Sequence, residues 1–250
     1  GDTGDGPGNG CRASILPMSE PPYRLVDEGD RRVLSVDGRE YPATYSERVV
    51  RMLIERKGVR RALLYFPFKE TRGRHFLSPL FRYLRSQGLK DLTVLEVGCS
   101  FGHMTEYLVE QPEVGALFTF DTDPAFAAIV RAKIEELGLT KVREVAQLSN
   151  DETRRLPYAD GAFDLVVASG VVEHLPERHR RGQVDEYYRV LAPGGYIAIL
   201  DTPNRWFPLE THSVGLPLIQ WLPPHLAYPY ARVARPGKFR DVTYEDLTAD

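Results

Sequence analysis

Two cysteines in 250 residues are too few for a disulfide framework. Cys11 sits in a glycine-rich opening stretch and Cys99 in a turn, so a reducing, cytoplasmic setting is the expectation. No uninterrupted apolar run approaches the roughly 20 residues of a membrane span, and no signal-peptide pattern is present. Charge of one sign is not in surplus either. The 32 Lys and Arg against 35 Asp and Glu leave a net charge of -3, which argues against a dedicated nucleic-acid binder. Also missing is the dinucleotide fingerprint, with glycines at positions one, three and six of a strand-to-helix turn, and its absence counts against a nicotinamide-dependent oxidoreductase. What remains is 42% hydrophobic and 27% charged, enough for a core of ordinary size and suited to one α/β domain with an appendage.

Along the chain, residues 1–20 begin GDTGDGPGNG, with nothing to bury, and read as a disordered tail. Residues 21–89 read as an accessory unit. Short strands are expected at 23–26, 32–36 and 39–41, punctuated by acidic residues and by the turn pair Asp37-Gly38. A helix is expected over 46–57, with Ser46 as its cap and Val49, Val50, Leu53 and Ile54 on one face. Between Arg51 and Arg74 lie Arg51, Arg56, Lys57, Arg60, Arg61, Lys69, Arg72 and Arg74 against only Glu55 and Glu70. This is either a solvated face or a holder for an anionic group on a substrate. A second helix is expected over 76–87, with Pro79 in its first turn and Gly88 as its stop.

The stretch VLEVGCSFGHMTEYL, residues 94–108, is the one around which the remainder of the chain is arranged. It reads as a buried strand at 94–97, a tight turn from Gly98 to Gly102, and a helix from His103. Such a turn leaves backbone N–H groups pointing at one spot, where a polar ligand can sit. From Leu92 onward strand and helix alternate, as a parallel sheet covered on both faces requires. A second strand at 116–120 is closed by Asp121, where an acid can hold ribose hydroxyls because the strand tip lies beside the first turn. A helix over 124–137 carries Pro124 at its first position, Gly138 at its end and Asp123 as its cap. Strands at 142–148 and 196–200 complete the pattern around a further one opened by Phe163-Asp164.

An acid, Glu96, followed by Gly98, Ser100 and Gly102 resembles the first motif of class I S-adenosylmethionine (SAM)-dependent methyltransferases, with Ser100 in place of the middle glycine. Downstream, Leu156-Pro157, Phe163-Asp164, Glu173-His174-Leu175 and the run RVLAPGG at 189–195 come in the order seen in the ubiquinone-biosynthesis-like small-molecule subgroup of that family. Several motifs in register over residues 92–204 are far more specific than one. The resemblance implies an α/β, doubly wound, mostly parallel sheet over 90–250, with a Pro- and aromatic-rich insertion at 205–240. It also implies SAM as cofactor, bound by Glu96, Gly98, Cys99, Ser100, Gly102, Asp121 with Thr122 beside it, and Asp151 or Glu152 on the adenine. Ser169 and Gly170 would line the methionine end. The family's last two sheet strands are expected to be missing, and the exposed edge is a place where a second copy would pair were the protein a homo-oligomer.

The chemistry implied is methyl transfer to a small-molecule acceptor, most plainly a hydroxyl oxygen. His174 and His212 are the candidate bases, because imidazole titrates nearest neutrality, while Glu173 reads as a structural partner. No metal is expected, since Gly170 stands where related enzymes place an extra acid. The basic accessory unit and the apolar insertion suit an acceptor with an anionic and a bulky part, such as a sugar conjugate, a lipid-linked intermediate or a natural product. The insertion is a satellite core or a lid over the acceptor. The competing reading is a SAM-binding regulatory or scaffold protein that transfers no methyl group, and an RNA methyltransferase is disfavoured by charge.

Overall fold

LTVLEV is buried at nearly every position, which only a strand covered on both faces tolerates, and it forms β4 (Leu92–Val97) at the centre of a five-stranded parallel sheet. The computed structural model of the protein describes residues 23–27, 32–175, 177–202, 206–209 and 215–235. The sheet has the order β6-β5-β4-β7-β8, with β5 at Val114–Asp121, β6 at Val142–Gln147, β7 at Phe163–Ser169 and β8 at Leu191–Leu200. Helices α4 (His103–Glu110), α5 (Pro124–Leu137) and α6 (Glu177–Val190) make the crossovers. Because the chain first winds outward through β5 and β6 and then restarts at β7 on the other side of β4, the topological switch lies between β4 and β7. Ligands of doubly wound sheets bind at that point, beyond the carboxyl ends of the strands.

The Phe163-Asp164 pair has a structural use: Phe163 is buried, and Asp164 Oδ2 accepts a hydrogen bond of 2.8 Å from the Thr93 N–H, tying β7 to β4. Leu156-Pro157 is held from α6. Glu186 accepts from the Leu156 N–H at 3.0 Å, and Arg189 donates to the carbonyls of Leu156 and Tyr158 at 3.0 and 2.9 Å.

Ahead of the sheet, β1 (Tyr23–Asp27), β2 (Arg32–Val36) and β3 (Arg39–Pro42) form an antiparallel meander, turning at Asp37-Gly38. Helix α1 (Glu47–Lys57) starts at Ser46, whose hydroxyl accepts from the Val49 N–H, and it buries Val49, Val50, Leu53 and Ile54. Gly58, at φ +79°, ends it, and a separate helix α2 (Val59–Tyr65) comes next. Periodicity did not mark α2, because it is short and only Val59 and Ala62 are buried.

A single π-helical turn at Lys69–Gly73 then leads into α3 (Arg74–Ser86). The helix therefore begins before the expected position, and Pro79 falls inside it rather than in its first turn, where it removes one helical N–H donor. Gly73 is required by contact: a Cβ there would lie 2.8 Å from the Cβ of Tyr107 on α4. β8 also starts earlier than expected, at Leu191, with an irregularity in its pairing to β7 across 163–165.

The chain divides into two compact units, 20–202 and one containing 203–250. In the second, Leu218 N–H donates to the Pro208 carbonyl, Leu209 bridges Pro217, and α7 (Pro224–Ala234) packs Ala231 and Tyr230 against Leu216 and Ile219. The expected segments 1–20 and 236–250, and so the question of further sheet strands, lie outside the described residues.

Candidate cofactor and acceptor site

The site is built at the tips of β4, β5, β7 and β8. At the first tip, Gly98, Ser100 and Gly102 all adopt left-handed backbone, at φ +74°, +49° and +83°. Both glycines are demanded by neighbours as well: a Cβ on Gly98 would meet Val171 Cγ2 at 2.7 Å, and one on Gly102 would meet Val130 Cγ2 at 3.0 Å. Ser100 is the position where a side chain is tolerated at the cost of backbone strain. The turn is pinned to the next strand. Gly98 and Cys99 N–H both donate to the Phe120 carbonyl at 3.0 Å, and Ser100 N–H donates to Asp121 Oδ2 at 2.8 Å. Asp121 also accepts the Asp123 N–H at 2.9 Å. Burial raises its pKa, against the pull of those backbone donors. Each of its oxygens keeps a lone pair for another donor.

Glu96 is buried at 2% exposure, one residue before the end of β4. Its Oε2 accepts from the Thr105 hydroxyl at 2.6 Å, whereas Oε1 is enclosed and has no partner. Desolvation is the main cause that pushes its pKa up to about 7. Asp123 is the α5 cap, accepting from the Ala125 N–H at 2.9 Å, and it pairs with Arg56. Thr122 is exposed. Cys99 is buried and its thiol pKa is raised, chiefly by desolvation, so the residue serves packing rather than chemistry.

Beneath the turn lies a buried polar cluster that sequence reasoning missed. Lys133 of α5, 1% exposed, donates to the Phe101 carbonyl at 2.8 Å and pairs with Glu106 of α4. Glu106 also accepts from the Tyr45 hydroxyl at 2.9 Å, and the Lys133 ammonium lies 4.0 Å from the Tyr45 ring centroid. Desolvation lowers the Lys133 pKa, opposed by Glu106. A lysine on an amphipathic helix normally reads as solvated. Only the cover of α1 and the preceding loop makes this one internal.

At the opposite lip, Phe101 stacks on Tyr65 (4.1 Å between centroids) and on His103 (4.7 Å). The His103 ring is partly exposed, yet its Nδ1 is enclosed without a partner, and burial drives its pKa down to about 3. The π-helical turn contributes Arg72, which stacks over Phe68 and donates to Asp201 Oδ2 at 2.9 Å. Of the basic segment, Arg51, Arg56, Lys69, Arg72 and Arg74 all pair with carboxylates of the protein, which matches a structural face rather than an open anion site. Arg74 is turned to Glu70 and His75 to the Phe76 ring. The side chain of Arg72 reaches the strand tips, at Asp201 beyond β8.

Ser169 ends β7, and Gly170 comes next at φ +64°, donating to the Leu200 carbonyl at 2.9 Å. A Cβ on Gly170 would lie 3.7 Å from Glu173 Oε1 and 3.8 Å from Asp201 Oδ2. Glu173 Oε1 is enclosed without a partner, while Oε2 accepts from the Thr202 hydroxyl at 3.3 Å. His174 ends the 3-10 turn Val172–His174 and is exposed. His212 lies outside the described residues. After β6, Glu152 closes a local cap by accepting both the N–H and the hydroxyl of Ser149 at 2.7 Å. Asp151 is exposed and pairs with Arg154 at 3.5 Å. Among the described residues no group of three or more His, Cys, Asp or Glu is placed to hold a metal ion, and no helix is long and apolar enough to cross a membrane.

Residues 95–199 match a family model described as "Methyltransferase domain". A demethylmenaquinone methyltransferase of Thermus thermophilus is 33% identical over 110 residues, covering 44% of this chain and 47% of the relative. A phosphatidylethanolamine N-methyltransferase of Cereibacter sphaeroides is 34% identical over 108 residues, covering 43% of this chain and 49% of the relative. A SAM-dependent methyltransferase structure from Aquifex aeolicus superposes with a TM-score of 0.46 at 24% identity, covering 64% of this chain and 82% of that one. The chain spans about half the length of the curated relatives it matches.

Proposed function

We propose that this chain, whose residues 95–199 match a methyltransferase domain, is a class I SAM-dependent methyltransferase that delivers the methyl group of SAM to a hydroxyl oxygen of a small molecule. The observation that carries the reading is the pairing of Glu96 and Asp121 on adjacent strand tips around a left-handed glycine turn, with one buried Glu96 oxygen lacking any partner in the protein. That donor set fits the cofactor. Carboxylates at neighbouring tips, from Glu96, Asp121, Glu173 and Asp201, offset among the described residues by Arg72 on Asp201 and by Lys133, which acts on Glu96 from below the turn, suit a ligand with a cationic sulfonium and amine. When bound, SAM supplies an electrophilic methyl group.

The remaining work belongs to the protein. Asp121 would accept the ribose hydroxyls with the lone pairs its backbone donors leave free, and Thr122 lies beside it. Gly98, Cys99, Ser100 and Gly102 would let the backbone approach closely. The α4 N-terminus, which has no side-chain cap, turns its first N–H groups toward the same crevice. On the adenine side the acid is Asp151, which pairs with Arg154, or Glu152, whose Oε2 is held by Ser149 and whose Oε1 is not part of that cap. Ser169 and Gly170 would line the methionine end of the cofactor, where an acceptor hydroxyl would be aimed at the methyl group, and His174 or His212 would take its proton. The apolar insertion suits an acceptor with a bulky part, whereas the basic accessory unit, its guanidinium and ammonium groups paired within the protein, gives no argument for an anionic part.

A second reading rests on one specific observation, the two carboxylate oxygens within 4 Å of the Gly170 Cβ position. They would favour an ammonium-bearing acceptor, whose nitrogen must lose its proton before attack. Transfer of labelled methyl from SAM to a panel of alcohols, phenols and primary amines separates the two. Labelled ethers support the first, labelled amines replace it with the second, and SAM binding without transfer to any member of the panel would favour a regulatory or scaffold role. The outer edge of β8, unpaired among the described residues, is where a second copy would add if the protein associates.

A further inference from the structure

The peptide joining Phe101 to Gly102 is the middle of the cofactor turn, flanked by left-handed backbone at Ser100 and Gly102. It is gripped at both ends. Lys133 Nζ donates to the Phe101 carbonyl at 2.8 Å, and the Gly102 N–H donates to the Cys99 carbonyl at 2.8 Å. In a trans peptide the C=O and N–H point in opposite directions, so the two bonds together stop that plane from rotating. A rotation would change ψ at Phe101 and φ at Gly102, and with them the direction of the first N–H groups of α4.

The ammonium that grips this peptide is aimed by groups outside the turn. Lys133 pairs with Glu106 of α4, Glu106 accepts from the Tyr45 hydroxyl at 2.9 Å, and the ammonium lies 4.0 Å from the Tyr45 ring centroid. Tyr45 comes from the connection between β3 and α1, where its neighbour Ser46 is fixed to Glu136 of α5 through its N–H at 2.7 Å and through its hydroxyl. Helix α4 also steadies the strand tip, since Thr105, beside Glu106, donates to Glu96 Oε2 at 2.6 Å. Tyr45, Glu106 and Lys133 are 3%, 5% and 1% exposed, so a bond lost here is not replaced by bulk solvent. Apolar side chains of the same volume would hold a fold about as well as a buried ion pair does. What they would not do is point a donor at one carbonyl. On the reading of this turn as the SAM site, on which the inference rests, we propose that Lys133 is a positioning residue for the cofactor and that Tyr45 aims it. The N-terminal unit thereby sets how tightly the turn holds SAM.

Calorimetric titration of the full chain with SAM, together with amide hydrogen exchange in its absence, tests this. Tyr45→Phe removes one hydroxyl and keeps the ring. It should weaken SAM binding by about three- to tenfold, the range of a single intramolecular hydrogen bond. Exchange of the Gly102 and His103 amides should quicken by a similar factor, with the amides of β5 and β7 unchanged. Lys133→Met should weaken SAM binding by about tenfold or more, and Tyr45→Phe added to it should weaken binding no further, because its effect passes through the ammonium. Leu84→Val, in the core at α3, is the control: it should lower the melting temperature and leave SAM affinity alone. If Lys133→Met does not fold, Tyr45→Phe decides by itself. SAM affinity unchanged by Tyr45→Phe, or exchange quickened throughout the sheet as in Leu84→Val, would overturn the proposal and leave the cofactor assignment standing. A wild-type chain that binds no SAM would overturn both.

Discussion

The turn from Gly98 to Gly102 and the segment 215–235 are both short and both punctuated by glycine or proline, but they treat their side chains in opposite ways. In the turn, backbone N–H groups are pinned to Phe120 and Asp121, Phe101 is sandwiched between two rings, and Lys133 is drawn inside to hold a carbonyl. In the segment, one small core closes around Leu216 while tryptophan and leucine side chains remain in solvent. A site that must hold a ligand within fractions of an ångström needs its supports locked by packing and hydrogen bonds. A segment with so small a core is under no such constraint. Strain and buried charge are therefore concentrated at the first, and substitutions there should cost far more.

The largest effect should come from below the turn. Lys133→Met leaves Glu106 as a buried carboxylate without its counter-ion, and is expected to lower unfolding free energy by about 3–5 kcal/mol. Urea denaturation measures it, and a loss under about 1 kcal/mol would mean that the cluster is wetter than the geometry implies. Glu96 gives the next effect, read through pH. Its carboxyl holds a proton up to about pH 7 in the native chain, but is ionised above about pH 4.5 when unfolded. Over that window the native state binds more protons, so stability should fall as pH rises, by roughly 3 kcal/mol, and level off above neutrality. Glu96→Gln should flatten the slope. Affinity of the wild type for SAM, measured by calorimetry, should rise across the same window as the carboxylate becomes charged.

Asp121→Ala removes the acceptor that anchors Ser100, together with the proposed ribose contact. It should weaken SAM binding by about ten- to a hundredfold, the worth of one or two hydrogen bonds to a charged group. Ser100→Gly works in the other direction. Relief of the left-handed strain at φ +49° should stabilise the fold by about 0.5–1 kcal/mol, visible as a higher melting temperature. The smallest change sharpens the contrast from the other side. Trp206→Gln, at an exposed position, should move stability by less than about 0.5 kcal/mol. A larger loss would show that the residue is part of a core after all.

Much of this was legible in the residues because the signals were local. Strand, glycine turn and helix come from hydrophobic runs and backbone-permissive residues, so β4, α4 and α5 lie where their sequences put them, Asp123 is the helix cap, and Asp121 meets the turn. The acid after β6 stayed ambiguous because two neighbouring carboxylates differ only in which one a nearby serine engages. Lys133 and His103 were given no role from the sequence, for another reason. Both sit at positions that helical periodicity leaves neutral, and their burial depends on α1, α2 and the π-helical turn covering them.

What the sequence alone determined is the succession of strands and helices and the glycine turn between acid and helix. Each depends on side chains and φ preferences within a few residues of one another. Only the tertiary structure decided which charges lie inside. It brought Lys133 against Glu106, Arg72 against Asp201, and Glu173 beside Gly170, because the free energy of a charge is set by the solvent and partners around it in space.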